Sequence, residues 1–262
     1  MLEGLRSVSG VIKSLRTYYG DRRHRAGLEA LYRRFVRKGD LVFDIGAHVG
    51  DRVGVFRRLG AQVVAVEPQP ALLAVVRLIY GRDRAVTIEP TAVGPAEGLV
   101  ELMINRDNPT VSTVSRSFID AAAGAQGWEG QRWSKRVRVP MTTLDALIAR
   151  HGAPAFAKID VEGFEAEALA GLSRAIPALS FEFTTIQRGV AFAALDPCVA
   201  LGFARFNACL GETHSFAHES WRSADEMRRW LSDLPHEANS GDVYAVLGAS
   251  PSPLEGEGWG GG

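Results

Sequence analysis

A glycine-framed turn, FDIGAHVGD at residues 43–51, joins a short apolar run to a segment with helical periodicity. Apolar runs at 41–45 and 62–66 flank the helical pattern at 49–59, and the same alternation returns between residues 136 and 200. Parallel strands buried on both faces are continuous apolar runs, and the helices that connect them cover the sheet. The sequence therefore predicts an α/β fold with a mostly parallel sheet and helices on both faces.

Three segments depart from this alternation. Residues 27–37 carry apolar side chains at three- and four-residue spacing, which predicts an amphipathic helix packed on the sheet edge. A hairpin is expected around residues 98–104. Residues 105–135 are rich in Asn, Ser, Gly and Gln, and a loop of this length is typical of a functional lid. We therefore expect this last segment to lie on the substrate side.

The charges of the chain, 30 basic and 30 acidic residues, cancel overall, so no global field favours nucleic acid. Residues 1–38 nevertheless hold ten Lys or Arg against three Asp or Glu. This stretch is predicted to be a basic helical N-terminal extension, either solvated or in weak contact with a membrane surface, a glycolipid or a partner protein. Residues 250–262 are predicted to be a disordered Gly/Pro-rich tail. No run of about 18 apolar residues predicts a transmembrane segment.

Cysteine and histidine spacing predicts neither a disulfide nor a metal site. Cys198 and Cys209 have no further Cys or His at ligand spacing, which favours a reducing, cytoplasmic location. His214 and His218 would share one face if their segment were helical, but no third ligand or HExxH pattern accompanies them. The sequence therefore assigns no metal ligand.

The turn after the first strand suits a nucleoside ligand that lacks a pyrophosphate. Open parallel sheets bind ligands at the carboxyl ends of their strands, where this turn must lie. Gly46 and Gly50 can turn tightly and let the backbone approach a ligand, while Asp44 can hold a cationic amino group directly or through water. A dinucleotide site would need G-x-G-x-x-G, whereas these glycines are four residues apart. Taken alone, a purely structural turn remains an alternative.

Acidic side chains mark the ends of later strands as well. Glu67 ends the second strand, where a carboxylate can accept hydrogen bonds from both ribose hydroxyls. Lys158, Asp160 and Glu162 lie at the end of an apolar strand, and Glu182 lies in the strand after it. Unpaired buried charges are costly, so this cluster indicates either a functional site or a structural Lys–Asp pair.

With these motifs, the chain resembles the FkbM family of methyltransferases. The matching segments, in family order, are FDIGAHVGD (43–51), VVAVEPQP (63–70), TAVG (91–94), VPMTTLDALI (139–148), KIDVEGFEAEALAGL (158–172), FEF (181–183) and GDVYAV (241–246). The resemblance implies a Rossmann-like class I methyltransferase fold with a seven-stranded sheet over residues 39–249. It also implies S-adenosylmethionine as the cofactor. His48 departs from the family, which often has Asn at this position.

The resemblance further implies roles for individual residues. The implied cofactor-binding residues are Asp44, Gly46, Ala47, His48 and Gly50 at the methionine part, Glu67 at the ribose, and Thr91 and Ala92 near the adenine. The candidates for a base that accepts the proton of the acceptor are Asp160, Glu162, His48 and Glu182. A divalent cation shared by Asp160 and Glu182, which would acidify the hydroxyl, is the alternative to a base.

Together these expectations describe O-methylation of a hydroxyl on a sugar, a glycolipid or a secondary metabolite, with a small molecule or glycan as acceptor. A non-catalytic module that binds the cofactor for regulation or assembly is the alternative. A nucleic-acid methyltransferase is not expected, because the sequence has no Asn-Pro-Pro-Tyr-type motif. Neither the acceptor nor the oligomeric state follows from the residues.

Overall fold

A sheet of seven strands forms the centre of the protein, seen in a computed structural model that describes residues 22–248. The strands, including those of a smaller sheet, are β1 (Leu41–Ile45), β2 (Gln62–Val66), β3 (Val86–Glu89), β4 (Ala92–Val93), β5 (Gly98–Asn105), β6 (Trp133–Thr142), β7 (Phe156–Ile159), β8 (Ala178–Thr184), β9 (Phe203–Leu210) and β10 (Ser240–Leu247). The helices are α1 (Arg22–Tyr32), α2 (Asp51–Arg58), α3 (Pro70–Tyr80), α4 (Arg116–Ala122), α5 (Leu144–His151), α6 (Glu165–Ala170), α7 (Arg188–Ala200) and α8 (Ala224–Asp233). Short 3₁₀ turns occupy Pro109–Val111, Thr185–Gln187 and His236–Ala238.

The strands of the main sheet run in the order β3-β2-β1-β7-β8-β10-β9. All pairings from β3 to β8 are parallel, whereas β10 is antiparallel to both β8 and β9. Asp44 of β1 is in register with Ala65 of β2 and Lys158 of β7, so the carboxyl ends of these three strands meet at one edge. The chain order reverses between β1 and β7, and such a switch point is where open α/β sheets bind ligands. The predicted α/β fold with a mostly parallel seven-stranded sheet is confirmed.

Apolar layers cover both faces of the sheet because neighbouring strand residues point in opposite directions. Val42 belongs to the layer beneath α1, α2 and α3, and Phe43 belongs to the layer beneath α5, α6, α7 and α8. Phe156 and Ala157 of β7 divide in the same way between the two layers. Burial on both faces explains why these strands are continuous apolar runs in the sequence.

A second sheet of three strands, in the order β4-β6-β5, lies after β3 in the chain. The predicted hairpin around residues 98–104 is wrong, because this segment is one strand, β5, which pairs with the distant β6. The segment 105–135 between them is also more ordered than a loop, since it contains the turn Pro109–Val111 and helix α4. Trp133 donates its indole N–H to the Val111 carbonyl oxygen at 2.7 Å, which ties the segment back to β6.

Helix α1 begins five residues earlier than predicted and ends at Tyr32. The predicted position at the sheet edge is wrong, because α1 and the turn after it pack over interior strands. The Tyr32 ring lies 5.6 Å from that of Phe156 in β7, and the Phe35 ring stacks 5.5 Å from that of Tyr244 in β10. Residues 22–38 therefore contribute to the core that covers the sheet.

The remaining predictions about termini, cysteines and membranes have mixed outcomes. Residues 1–21 of the predicted basic extension and the predicted disordered tail at 250–262 lie outside the described residues. Cys198 and Cys209 are free and buried, as expected. Between residues 22 and 248, none of the helices combines the length and hydropathy needed to span a bilayer.

Candidate active site at the carboxyl ends of the strands

A cavity of about 280 Å³ opens at the edge where β1, β2 and β7 end. The predicted site residues that line it are Gly46, Ala47, His48, Glu67, Thr91, Ala92, Asp160, Glu162 and Glu182. Asp44 and Gly50 are not among the lining residues: Asp44 is buried in β1, and Gly50 is the N-cap residue that precedes α2. The sheet therefore brings together acids and turn residues that are more than a hundred positions apart in the chain.

The turn after β1 is held on both sides by backbone hydrogen bonds. The amides of Gly46 and Ala47 both donate to the Val66 carbonyl oxygen at 2.9 Å, and the Asp160 amide donates to the Ile45 oxygen at 2.9 Å. Gly46 has φ +84, and a Cβ there would lie 1.8 Å from the Asp160 carbonyl oxygen. The structure thus requires a glycine for packing against the end of β7, whereas the sequence suggested that it admits a ligand.

Asp44 is a buried carboxyl group for which the described residues provide no hydrogen-bond donor. Burial raises its pKa from 3.8 to about 7, with a further contribution from Asp51. Buried polar groups are nearly always satisfied in folded proteins, so an orphaned carboxyl beside a cavity points to a partner supplied by water or a ligand. A cationic ligand would favour its ionised form.

Glu67 is oriented by the turn that it faces. Its two carboxylate oxygens accept hydrogen bonds from the amides of His48 at 2.9 Å and Gln69 at 2.7 Å. Burial raises its pKa from 4.5 to about 8, although these two hydrogen bonds act in the opposite direction. Each oxygen keeps a second lone pair, so Glu67 can still accept two hydroxyl donors at fixed positions.

His48 lies between the turn and the segment predicted to be a lid. Its ring Nε2 is 3.4 Å from the Thr110 hydroxyl oxygen, and burial lowers the pKa of the imidazole, which is therefore neutral at pH 7. Thr113 donates its hydroxyl to the Glu162 carbonyl oxygen at 2.7 Å. These contacts place residues 109–114 across the cavity, and Trp128 from the same excursion also lines it.

Three carboxyl groups converge at the ends of β7 and β8. Asp160, Glu162 and Glu182 each offer an oxygen within 4.8 Å of the others. Lys158 is buried beneath them, and its Nζ lies 3.0 Å from Asp160 Oδ2 and 2.8 Å from Asp242 Oδ1. The predicted Lys–Asp pair therefore exists, and it is part of a larger buried network.

The network gives its carboxyl groups different protonation states. Burial alone would raise the pKa of Asp160, but Lys158 and Arg52 lower it below its usual value. Burial and the neighbouring Asp160 charge raise the pKa of Glu162 and of Glu182 well above the usual range. Asp160 is thus the ionised member of the cluster, and Glu162 and Glu182 are its protonated neighbours.

A rigid loop carries Asp160 and Glu162. Glu165, at the start of α6, accepts hydrogen bonds from the amides of Val161 at 3.0 Å and Gly163 at 3.1 Å. Glu162 itself has φ +55, a left-handed backbone conformation that is uncommon for residues other than glycine. Such strained positions cluster at functional sites.

A divalent cation also fits the oxygen ligands of this cluster. Asp160, Glu162 and Glu182 are close enough for one ion, and Glu182 Oε2 is buried without a hydrogen-bond partner among the described residues. Hard cations such as Mg²⁺ prefer carboxylate ligands of this kind. The geometry leaves both alternatives from the sequence open, a base or a shared cation.

Four charged residues that sequence reasoning did not single out also line the cavity: Asp51, Arg52, Glu212 and Asp242. Among residues 22–248, Arg52 is the only Lys or Arg in the lining, and its Nη1 lies 3.0 Å from Asp51 Oδ2. Asp242 stands out in the sequence as a charge within the otherwise apolar strand GDVYAV. Arg52 and Glu212 carry no comparable signal, because charged side chains are ordinary in a helix and in a turn.

Comparison with solved structures finds similar but distant methyltransferases. The O-methyltransferase from Bacillus cereus in complex with SAH is 10% identical, with a TM-score of 0.45, over 92% of this chain and 91% of that one. The magnesium protoporphyrin IX methyltransferase from Synechocystis PCC 6803 with bound SAM is 12% identical, with a TM-score of 0.44, over 91% and 84%. No curated protein matches the sequence.

The sequence also matches a protein family. The Methyltransferase FkbM domain matches residues 44–239, which include the turn after β1, the acidic loop after β7 and strand β8. The predicted class I methyltransferase fold and S-adenosylmethionine as cofactor are confirmed with this match. The chain belongs to the FkbM methyltransferase family.

Proposed function

We propose that the protein transfers a methyl group from S-adenosylmethionine to a hydroxyl oxygen of a sugar, a glycolipid or a secondary metabolite. The observation that carries this proposal is the convergence of Asp160, Glu162 and Glu182 in the same cavity as the turn after β1. A hydroxyl is a poor nucleophile until its proton begins to leave, so O-methylation needs a proton acceptor close to the methyl donor.

The cavity offers complementary groups to each part of the cofactor. Glu67 has free lone pairs for two ribose hydroxyls, and Thr91 and Ala92 lie on the side assigned to adenine. The turn from Gly46 to His48 would hold the methionine part, whose carboxylate can pair with Arg52. The orphaned Asp44 fits a cationic amino group reached through water. The residues present therefore fit this cofactor.

The acidic cluster would handle the proton of the acceptor. The cofactor supplies an electrophilic methyl group on a positively charged sulfur. Asp160, kept ionised by Lys158, accepts the hydroxyl proton as the oxygen–methyl bond forms and the carbon–sulfur bond breaks. Glu182, protonated beside Asp160, keeps its own proton, so Asp160 is the member of the cluster that can take up another. Positioning of the reactants can supply on the order of 7–11 kcal/mol of the rate enhancement.

The direct test is to incubate the protein with methyl-labelled cofactor and fractionated cell extract, and to identify what gains label. Label in a carbohydrate, lipid or small metabolite, released only by treatments that cleave methyl ethers, supports the proposal. Label lost after nuclease treatment, or attached to nitrogen or carbon, contradicts it. Cofactor binding without label in any fraction favours the non-catalytic alternative. Activity that persists in EDTA favours a base over a shared cation.

Changing Glu67 to glutamine should weaken cofactor binding by about 10- to 100-fold, because it removes one acceptor oxygen and a buried donor left without its partner costs roughly 1–3 kcal/mol. The glutamine amide also leaves the amide of His48 or Gln69 facing a donor instead of an acceptor. Isothermal titration with the cofactor and with its demethylated product measures the dissociation constants. Glu89→Gln is a matched control at the end of neighbouring β3, outside the cavity lining. Equal affinities for both variants would remove Glu67 from the site.

The ligand-free protein should lose stability as the pH rises from about 4 to about 8. Burial raises the pKa of Asp44 to about 7, of Glu67 to about 8 and of Glu165 to about 7. In the unfolded chain these carboxyl groups ionise near pH 4, so the unfolded state releases its protons first. Their contribution is thus complete below pH 4 and lost through the folded pKa values. The pKa of Asp160 shifts in the opposite direction, so Asp160 affects the pH dependence of stability only below about pH 4.

Urea unfolding at several pH values measures this loss, which is on the order of a few kcal/mol. Asp44→Asn removes one of the titrating groups and should flatten the dependence. If the stability of Asp44→Asn depends on pH as steeply as that of the unchanged protein, Asp44 does not titrate in this window.

A further inference from the structure

Two histidines and a glutamate meet beside the cavity, in a group separate from the acidic cluster. His24 comes from the first turns of α1, whereas Glu212 and His214 follow β9, about 190 positions later. His24 Nδ1 and His214 Nε2 are 3.0 Å apart, and Glu212 Oε2 lies 3.9 Å from each nitrogen. The sequence suggested a helical face shared by His214 and His218, which is wrong because residues 211–222 contain no helix. His24 is the histidine that His214 meets.

The backbone around His214 is shaped to hold its ring in this position. His214 has φ +55, a left-handed conformation that is uncommon for residues with a side chain. Gly27, one turn after His24, lies against the imidazole, and a Cβ there would be 2.8 Å from His214 Cδ2. The left-handed backbone of His214 and the absence of a side chain at Gly27 thus both accommodate the same imidazole ring. Such features persist where the surrounding structure requires a fixed side-chain geometry.

The electrostatic surroundings suit a metal ligand set. The His24 and His214 side chains are only 13% and 9% exposed, so both imidazoles are largely enclosed by the protein. Oε2 of Glu212 faces the two histidines, while its Oε1 lies 3.4 Å from Arg52 Nη2. A hydrogen-bonded partner of this kind orients a ligating carboxylate. Arg52 in turn is neutralised by Asp51 at 3.0 Å.

We propose that His24, Glu212 and His214 form a binding site for a zinc-type transition-metal dication, with water completing the coordination. Two imidazole nitrogens and one carboxylate oxygen suit Zn²⁺, Co²⁺ or Ni²⁺, whereas Mg²⁺ and Ca²⁺ prefer oxygen ligands alone. The ion would join α1 to the segment after β9 beside the cavity, which Glu212 also lines.

The test uses the full chain without a polyhistidine tag, stripped with a chelator and titrated with Co²⁺. The expected result is one equivalent bound, with the visible absorption of a tetrahedral cobalt site, and displacement by Zn²⁺. His24→Gln and His214→Gln should each weaken Co²⁺ binding by at least about 10- to 100-fold. Losses of this size are typical when a residue that only hydrogen-bonds to a metal ligand is replaced. His24→Gln leaves the strained backbone at His214 unchanged, so a folding defect of the other variant does not decide the outcome.

His218→Gln is the matched control, because His218 contacts Trp230 and is not part of the cluster. It should bind Co²⁺ like the unchanged protein. Zn²⁺ should also raise the melting temperature of the unchanged protein and of His218→Gln, but not of His24→Gln. The proposal is overturned if no Co²⁺ binds, if the His24 and His214 variants bind it as tightly as the unchanged protein, or if Glu162→Gln abolishes the signal. The last result would locate the ion in the acidic cluster.

Discussion

Asp160→Asn should lower methyl transfer by about 10²- to 10⁴-fold, the usual range for loss of a positioned proton acceptor, with little change in cofactor affinity. Asparagine has nearly the shape of aspartate and its amide oxygen can still accept the hydrogen bond from Lys158 Nζ, now 3.0 Å from Asp160 Oδ2. The amide cannot take up a proton from the acceptor. The loss should therefore appear in kcat, measured with labelled cofactor and an excess of the acceptor fraction.

Asp242→Asn provides the matched control for this variant. Asp242 is the second carboxylate on Lys158, at 2.8 Å, so its loss perturbs the same lysine without removing the ionised group of the acidic cluster. We expect a clearly smaller decrease in kcat than for Asp160→Asn. Equal decreases would mean that the pairing of Lys158 matters and proton acceptance does not. Normal turnover of Asp160→Asn with normal cofactor binding would exclude Asp160 as the base.

The sequence predicts the strands of the main sheet well because both of their faces are buried. β1, β2 and β7 are short runs of apolar residues in which every position away from the first is enclosed. Burial of both faces does not predict which strands pair. The apolar residues of β5 mark a strand, but its partner β6 lies beyond a helix and a 3₁₀ turn, and no local pattern names that partner. The predicted hairpin failed for this reason.

Helix α1 shows that apolar periodicity does not always predict where a helix begins and ends. Its first turns, from Arg22, carry charged side chains and give no apolar repeat, so the prediction started too late. Phe35 continues the apolar spacing past the end of the helix because its ring stacks 5.1 Å from that of Phe156. The apolar pattern therefore reports which residues are buried, and it reports the helix boundary only where the two coincide.

Some residues of the candidate site can likewise be predicted from the sequence, and others cannot. Acids at strand ends can be read from the sequence, since Glu67 and Asp160 interrupt apolar runs. Contacts between distant segments cannot be predicted in this way. Asp242, for example, contacts Lys158 although the two residues are 84 positions apart. Protonation is equally hidden, because Asp160 and Glu182 look alike as residue types. Their pKa values separate only once the fold places Lys158 against Asp160 and buries Glu182 beside that charge.

Gly46→Ala should destabilise the folded protein by about 4 kcal/mol or more, an exceptional effect for a single substitution. Two penalties combine at this position. The backbone has φ +84, where an L-residue with a side chain costs roughly 1–2 kcal/mol. The added Cβ would also lie 1.8 Å from the Asp160 carbonyl oxygen, which is backbone and cannot rotate away. Relief requires separation of the β1 turn from the end of β7.

Gly39→Ala isolates the first penalty, because Gly39 has φ +92 and nothing lies within 4 Å of a Cβ built there. Urea unfolding of this control should show a loss of only about 1–2 kcal/mol. Any Gly46→Ala protein that still folds should also bind the cofactor poorly, since the turn and Asp160 must both move. If the two variants lose similar stability, the contact between Gly46 and Asp160 is looser than the structure shows. The carboxyl ends of β1 and β7 would then be free to shift relative to each other, and Asp160 would lose the fixed position on which its role as base depends.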